Sequence, residues 1–327
     1  MQRTRRIDVH VHFLPEALAT ALEKRTTAPS IRREHGERLV EWGGGIVYPL
    51  WREAVNLDAT AERMEQDGID TSVLTVITPS VEGLPPAEGT AVARACNDEL
   101  AEATRSYPGT YEAVAALPWQ APDAAIAELE RAASLGLRGA QVPSNIGAEA
   151  IDSPRFRPVF EAAADLQLPI MLHPAYPLSG STVDVYALTT TLGFLFDTTT
   201  AALRLILGGL FVHHPRFKLH LVHVGSLLPY VLGRLDYEAA RYDGAMGALS
   251  VPPSEHVKLL YTDSVCVWPP ALRLALEVFG ADRVMFGTDE PFWQTERAVA
   301  AVEALDLAEE ELGRIWSGTA IELFGLT

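Results

Sequence analysis

The chain has 327 residues, 48% of them hydrophobic, and carries 43 Asp and Glu against 26 Lys and Arg, for a formal net charge of −17. That is enough apolar material for one large α/β domain or two smaller ones. The negative balance repels phosphate backbones and excludes nucleic acid as a partner, but it leaves room for an anionic small molecule met by a local cation or a metal. No run approaches the roughly 18 apolar residues of a membrane span, so no membrane partner is expected. The longest such run, 205–212, reads as a buried or interface helix. The basic start Met1-Gln2-Arg3-Thr4-Arg5-Arg6 leads into Ile7-Asp8-Val9-His10 rather than a signal-peptide core, and a cytoplasmic protein is expected. The two cysteines, Cys96 and Cys266, form no CxxC pair, so there is no zinc-ribbon or redox motif.

In chain order, the β-rich segments are 7–11, 71–76, 111–115, 139–142, 169–172, 218–222, 259–262 and 284–286, separated by helical runs such as 122–135 and 155–166. Eight strand–helix alternations predict an α/β fold of the (β/α)8 TIM-barrel type. A doubly wound sheet is the competitor, weakened because no GxGxxG follows the first strand. Residues 13–56 break the alternation. Their two short apolar runs around Gly43-Gly44-Gly45 signal a hairpin, read as an insertion folding over the barrel mouth. The expectation is one domain over 1–327, a distorted (β/α)8 barrel with a small inserted subdomain after the first strand, at about 13–56.

Barrel active sites collect at the C-terminal strand ends. His10 and His12 end the first strand, two apart and therefore on one side of it. His173 ends the fifth strand, His223 the sixth and Asp289 the eighth. Three imidazoles and a carboxylate suit zinc or another divalent first-row ion, so His10, His12, His173 and Asp289 are the ligand choice. His223 is then free as acid, base or polariser, and Asp289 is shared between ligation and proton transfer. No Lys, Glu or Cys closes the fourth strand in 137–143, which favours one metal over two.

Asp263, ending the seventh strand, either orients a ligand histidine or caps the next helix. Trp42, Tyr48, Trp51, Tyr176 and Trp268 fall on expected mouth loops, as pocket lining or as packing for the insertion. His213 and His214 read as loop residues on the opposite face. His220, offset by three from His223, is expected to face away from it as a helix-facing or core histidine, and His35 and His256 to be exposed.

The segments Asp8-Val9-His10-Val11-His12-Phe13, Leu172-His173-Pro174, His223-Val224-Gly225 and Gly287-Thr288-Asp289-Glu290-Pro291-Phe292 resemble the motifs of the amidohydrolase superfamily. So do Met64-Glu65-Gln66-Asp67-Gly68-Ile69-Asp70, Pro252-Pro253-Ser254-Glu255-His256 and Thr262-Asp263-Ser264, which point to the branch of 2-amino-3-carboxymuconate-6-semialdehyde decarboxylase and the aromatic acid decarboxylases. The likeness runs from about Arg6 to Phe324. It implies a distorted TIM barrel with an inserted subdomain and one catalytic divalent ion, zinc or in some members manganese. It gives the same four ligands, with His223 beside the metal-bound water or substrate. It also implies a homodimer, for which the apolar run 203–212 is the candidate contact, and a substrate-gripping arginine near the insertion or from the partner chain.

The chain departs from the branch in three places. Tyr48 falls near the inserted region's arginine position, with Arg52 four residues later. The semialdehyde decarboxylase carries a tryptophan soon after the His-Pro pair, where this chain reads His173-Pro174-Ala175-Tyr176-Pro177. Glu290 replaces a common tyrosine after the ligand aspartate. Arg52, Tyr48, Trp51, Tyr176 and Glu290 are therefore the candidate substrate contacts.

The expected activity is metal-dependent decarboxylation of an aromatic or unsaturated carboxylic acid, with Asp289 and His223 in proton transfer. The same five residues would serve a hydrolase or hydratase of a lactone, amide or C–C bond, using a metal-activated water. A binding protein that has lost turnover is the third reading, opposed by the full set of ligand candidates.

Overall fold

A computed structural model describes residues 4–242, 244 and 246–327. Eight parallel strand positions form the barrel wall: β1 (Ile7–Phe13), β5 (Thr71–Val76), the split third strand β6 (Tyr111–Ala113) and β7 (Ala115–Ala116), β8 (Ala140–Pro143), β11 (Ile170–His173), β12 (Leu219–Leu221), β13 (Tyr261–Asp263) and β14 (Val284–Met285). They pair as β1-β5-β6 and as β14-β13-β12-β11-β8-β7. The two arcs meet at the split strand, where Val114 N–H donates to the Leu74 carbonyl at 3.0 Å and Ala115 N–H to the Gly139 carbonyl at 2.8 Å. They meet again beyond β14, where Val9 N–H donates to Phe286 O (3.0 Å), Asp289 N–H to His10 O (2.8 Å) and His12 N–H to Glu290 O (2.8 Å). The (β/α)8 reading of the sequence holds.

Two apolar layers flank the wall. The larger lies between strands and helices. The smaller fills the barrel's interior, where Ile7, Val9, Val73, Val114, Met171, Val222 and Met285 are plugged from below by Leu323, Phe324 and Leu326 of the C-terminal helical segment.

Between β1 and the helix Leu57–Asp67 stands a three-stranded antiparallel sheet: β2 (Ser30–Glu34), β3 (Glu37–Gly43) and β4 (Ile46–Pro49). The β3–β4 hairpin turns at the glycines that signalled it. The β2–β3 hairpin, turning at His35 and Gly36 (φ 51° and 88°), had no such signal, because Arg32-Arg33-Glu34 lack apolar alternation. β9 (Asn145–Ile146) and β10 (Glu149–Ala150) make a minor ribbon after β8.

The run 203–212 is not one helix. The helix Phe194–Leu207 stops at Gly208-Gly209, with Gly209 at φ 89°, and a short turn Leu210–His213 follows. Leu205, Ile206 and Phe211 are buried against the barrel, leaving Val212 exposed. Among the described residues no helix is long and apolar enough to cross a membrane.

Candidate metal centre

β1 brings the first two donors inside through an irregularity in its pairing. Asp8 pairs with Ser72 and Val11 with Leu74, so two residues of β1, Val9 and His10, oppose the single residue Val73. Such a bulge shifts the inside–outside alternation by one. Below it Ile7 and Val9 join the interior plug. Above it Val11 and Phe13 pack outward with the helices while His10 and His12 face in. A regular strand carrying this sequence would put Ile7, Val9 and Val11 on one side and both histidines on the other.

Asp8 lies outside with Thr60, Arg63, Met64 and Glu290. Its Oδ1 accepts from His10 N–H (3.0 Å) and Thr288 N–H (3.1 Å), and its Oδ2 from the Thr288 hydroxyl (2.5 Å). Burial pushes its pKa up to about 8, although Thr288 and the two amides oppose the rise. These bonds clamp 287–290 onto β1, where Asp289 at φ 64° turns its carboxylate inward.

His10, His12, His173 and Asp289 converge, each buried, with one ligand-capable atom apiece all within 4.8 Å of one another. His10 Nε2 is 3.3 Å from His12 Nε2 and 3.3 Å from Asp289 Oδ1, and His12 Nε2 is 2.9 Å from that same oxygen. A tetrahedral ion with ligand bonds of about 2.0–2.1 Å has ligand–ligand edges of about 3.3–3.4 Å, so the donors already stand near coordination spacing.

The ring nitrogens facing away from the centre have partners of their own. His10 Nδ1 lies 2.9 Å from Asp263 Oδ2, His173 Nδ1 3.1 Å from the Pro174 carbonyl and His12 Nδ1 3.0 Å from Thr75 Oγ1. A carboxylate and a carbonyl only accept, so His10 and His173 carry their proton on Nδ1 and present a bare Nε2 inward. The residues fit a divalent ion.

The electrostatics agree. Burial holds His10 below the ordinary histidine range, against the pull of Asp289 and Asp263. Burial with the neighbouring imidazoles holds His173 well below it. Neutral rings are what a metal requires. Asp289 stays ionised well below the usual carboxylate range: burial opposes this, but His10, His12 and His223 outweigh it.

His223 sits just beyond β12 in a left-handed conformation (φ 60°, ψ 61°). Its Nε2 is 3.5 Å from Asp289 Oδ2, the oxygen turned away from His12. Burial disfavours its charge, but Asp289 and then Asp263 prevail and raise its pKa.

Asp263 orients rather than caps. Besides His10, its Oδ2 meets His220 Nε2 at 3.2 Å, and its Oδ1 accepts from the N–H of His223 (2.8 Å) and of Val265 (3.2 Å). His220 therefore faces the barrel interior, against the expectation from its offset to His223. The strand ends at Leu221, and the left-handed turn at His223 breaks the parity on which that expectation rested.

The mouth wall on the insertion side is aromatic. Phe292 stands edge-on to His12 (centroids 5.3 Å), Tyr48 (5.1 Å) and Trp51 (5.3 Å), while Tyr48 and Trp51 stack at 5.8 Å. The Tyr48 hydroxyl donates to the Thr78 carbonyl just past β5. The β3–β4 turn reaches the opposite rim. A Cβ on Gly44 would fall 1.9 Å from the Tyr176 ring, and Trp42 packs on Phe194 at 5.3 Å.

Two of the candidate contacts lie away from the donor cluster. Arg52 points to Glu62 (3.4 Å) with both side chains mostly exposed. Glu290, one residue past the inward Asp289, points out of the barrel beside Asp8 and Arg63 and accepts from Thr295 Oγ1 at 3.1 Å. Tyr176 gives its hydroxyl to Asp184 at 2.6 Å, and Trp268 is largely exposed.

His35 is exposed as expected. His256 is half-buried, its ring stacked on Phe211 at 6.4 Å. His213 and His214 line a separate cavity of about 360 Å³ with Phe160, Leu205, Arg157 and Arg204, to which none of the cluster contributes. Phe292, quoted only as the end of a motif, and Thr75 were given no part in the site, although Phe292 lies three residues past Asp289 and Thr75 is the penultimate residue of the second strand.

Fold and site together define a β/α barrel with a metal-binding centre at the C-terminal rim. A family model described as "Amidohydrolase" matches residues 7–326, and the chain belongs to that family. It is 31% identical over 318 residues to the gamma-resorcylate decarboxylase of Rhizobium sp. (strain MTP-10005), covering 89% of this chain and 95% of that protein. The apo crystal structure of Metarhizium anisopliae IDCase superposes with a TM-score of 0.92 at 26% identity, covering 98% of this chain and 97% of the other. A dihydroxybenzoic acid decarboxylase from Polaromonas sp. JS666, solved with bound manganese and the inhibitor 2-nitroresorcinol, superposes with a TM-score of 0.84 at 27% identity, covering 99% and 98%. The donor cluster and the manganese in that neighbour support a divalent metal.

Proposed function

We propose that the protein is a metal-dependent decarboxylase of an aromatic or unsaturated carboxylic acid, with ring-hydroxylated benzoates the first class to test. The observation that carries this is the convergence of His10, His12, His173 and Asp289, their ligand-capable atoms all within 4.8 Å of one another, with His223 against the second Asp289 oxygen. The named activities of the relatives support it, as does the aromatic wall of Phe292, Tyr48 and Trp51 beside His12.

His10, His12, His173 and Asp289 are the ligands in this reading. The bound ion supplies Lewis-acid polarisation of substrate oxygens next to the departing carboxylate. Asp263 and Thr75 hold two of the ligand rings in place. His223 Nε2, 3.5 Å from Asp289 Oδ2, is the group placed to hold the proton and deliver it to the ring carbon that bears the carboxylate. The C–C bond then breaks, its electron pair returns to the ring and CO2 leaves. Phe292, Tyr48, Trp51 and Tyr176 line the approach.

Zinc is our choice of ion from the three-imidazole, one-carboxylate set, with manganese as competitor. The chain acts as one barrel domain with 13–56 as its mouth insertion. We place it in the cytoplasm, which suits its two unpaired thiols, and as a homodimer, for which exposed Leu192, Phe196 and Val212 offer contact area.

The test is CO2 release from gamma-resorcylate and other hydroxybenzoates by zinc- and manganese-loaded protein. Stoichiometric CO2 abolished by His223→Ala is expected. A flat result across the series, or oxygen-18 from water appearing in a product other than CO2, overturns the reading.

A further inference from the structure

Asp263 accepts four hydrogen bonds, and three have an evident use. One fixes the His10 ring, and two hold the backbone on either side of the site, at His223 and Val265. The fourth comes from His220, a fully buried side chain on β12 that belongs to neither the ligand set nor the proton-transfer pair. Its Nε2 must donate, because an ionised carboxylate only accepts. Its Nδ1 is buried and has no hydrogen-bond partner among the described residues. Its ring packs at 6.4 Å on Phe324 of the apolar plug. An aliphatic side chain would fill this place without an orphaned polar atom, which costs about 1–3 kcal/mol, so packing alone gives no reason for an imidazole.

The structure assigns His220 as a positioning residue of the metal centre, acting through Asp263 Oδ2 on the ring of His10 and through Asp263 Oδ1 on the backbone that aims His223. Two donors on Oδ2, at 2.9 and 3.2 Å, fix the carboxylate's rotation. With one removed, Asp263 can turn, and the plane in which His10 presents Nε2 is no longer set. The inference rests on the reading of His10 as a ligand.

The experiment measures zinc affinity by chelator competition for the parent, His220→Leu, His220→Gln and the control His10→Ala, with circular dichroism reporting the folded fraction. His220→Leu is expected to bind zinc about tenfold more weakly, the range seen when partners of ligand histidines are lost. His220→Gln, whose amide restores a donor to Asp263, is expected within about threefold of the parent. A purely structural role would lower the melting temperature of both variants and leave zinc affinity unchanged. Parental affinity in His220→Leu overturns the proposal, and so does equal weakening in His220→Gln. If His220→Leu does not fold, the glutamine variant decides alone: retention supports, tenfold loss overturns. If His10→Ala keeps parental affinity, the ligand reading fails and this proposal fails with it. None of these readouts requires decarboxylation, so loss of the proposed activity leaves the outcome legible.

Discussion

Asp263→Asn changes one atom and should separate metal binding from folding. The asparagine oxygen can still accept from His223 N–H and Val265 N–H, now at 2.8 and 3.2 Å, so the backbone at the strand end keeps its anchor. The new NH2 faces His10 Nδ1 and His220 Nε2, which stand 2.9 and 3.2 Å from the present oxygen. Two donors then oppose an NH2 group. His10 escapes by moving its proton to Nε2, but that proton points into the cluster, 3.3 Å from both His12 Nε2 and Asp289 Oδ1, and blocks ligation. Restoring the binding tautomer forfeits a hydrogen bond to a charged acceptor, about 1.5–3 kcal/mol. That corresponds to metal affinity weaker by roughly 10–100-fold. Zinc competition against a chromophoric chelator, with metal content after gel filtration, measures it. An Asp263→Asn protein that binds zinc as tightly as the parent would refute the claim that this carboxylate sets the His10 tautomer.

Three further outcomes are expected. In metal-free protein, His10 and His173 titrate below unfolded histidine, so their contribution to stability is present above pH 6.5 and lost as the pH falls through their folded values. His223 has the opposite sign, its contribution being lost as the pH rises. Buried carboxyls with raised values, Asp8 above all, add stability as the pH falls, so the check is on the ring itself: in metal-free protein the His173 imidazole should titrate below an unfolded histidine by NMR, and titration at or above that range contradicts the assignment. Arg52→Ala removes an exposed ion pair with Glu62 and should change stability by less than about 1 kcal/mol and leave KM within about twofold; a tenfold KM increase would return Arg52 to the substrate. Gly44→Ala combines φ 57° with a Cβ 1.9 Å from Tyr176, so calorimetry should register a loss of about 1–3 kcal/mol, partly relieved by Tyr176→Ala; full stability in the single variant contradicts that close contact.

The eight strands were legible because each is a short apolar run bounded by helical sequence, and the cluster because its members end those strands. Facing was less legible. Period-two counting brought His10 and His12 together but missed the extra residue beside Val73, which no local sequence signal announces. It also turned His220 the wrong way, because a left-handed backbone at His223 cannot be inferred from Val-His-Val. Arg52 and Glu290 were proposed from a register carried over from relatives. In the fold the first has a surface partner and the second the parity opposite to Asp289.

The bulge in β1 has a kinetic consequence. Because Val9 and His10 share one rung, the greasy floor of the barrel rises to the height of the first ligand, and Leu323 and Phe324 seal it from beneath. Among the described residues the apolar floor leaves the approach to the four donors from above, past Phe292. Substrate and metal use the same doorway, so a bound aromatic acid stands between the ion and any chelator, and metal loss should slow most when the enzyme is occupied.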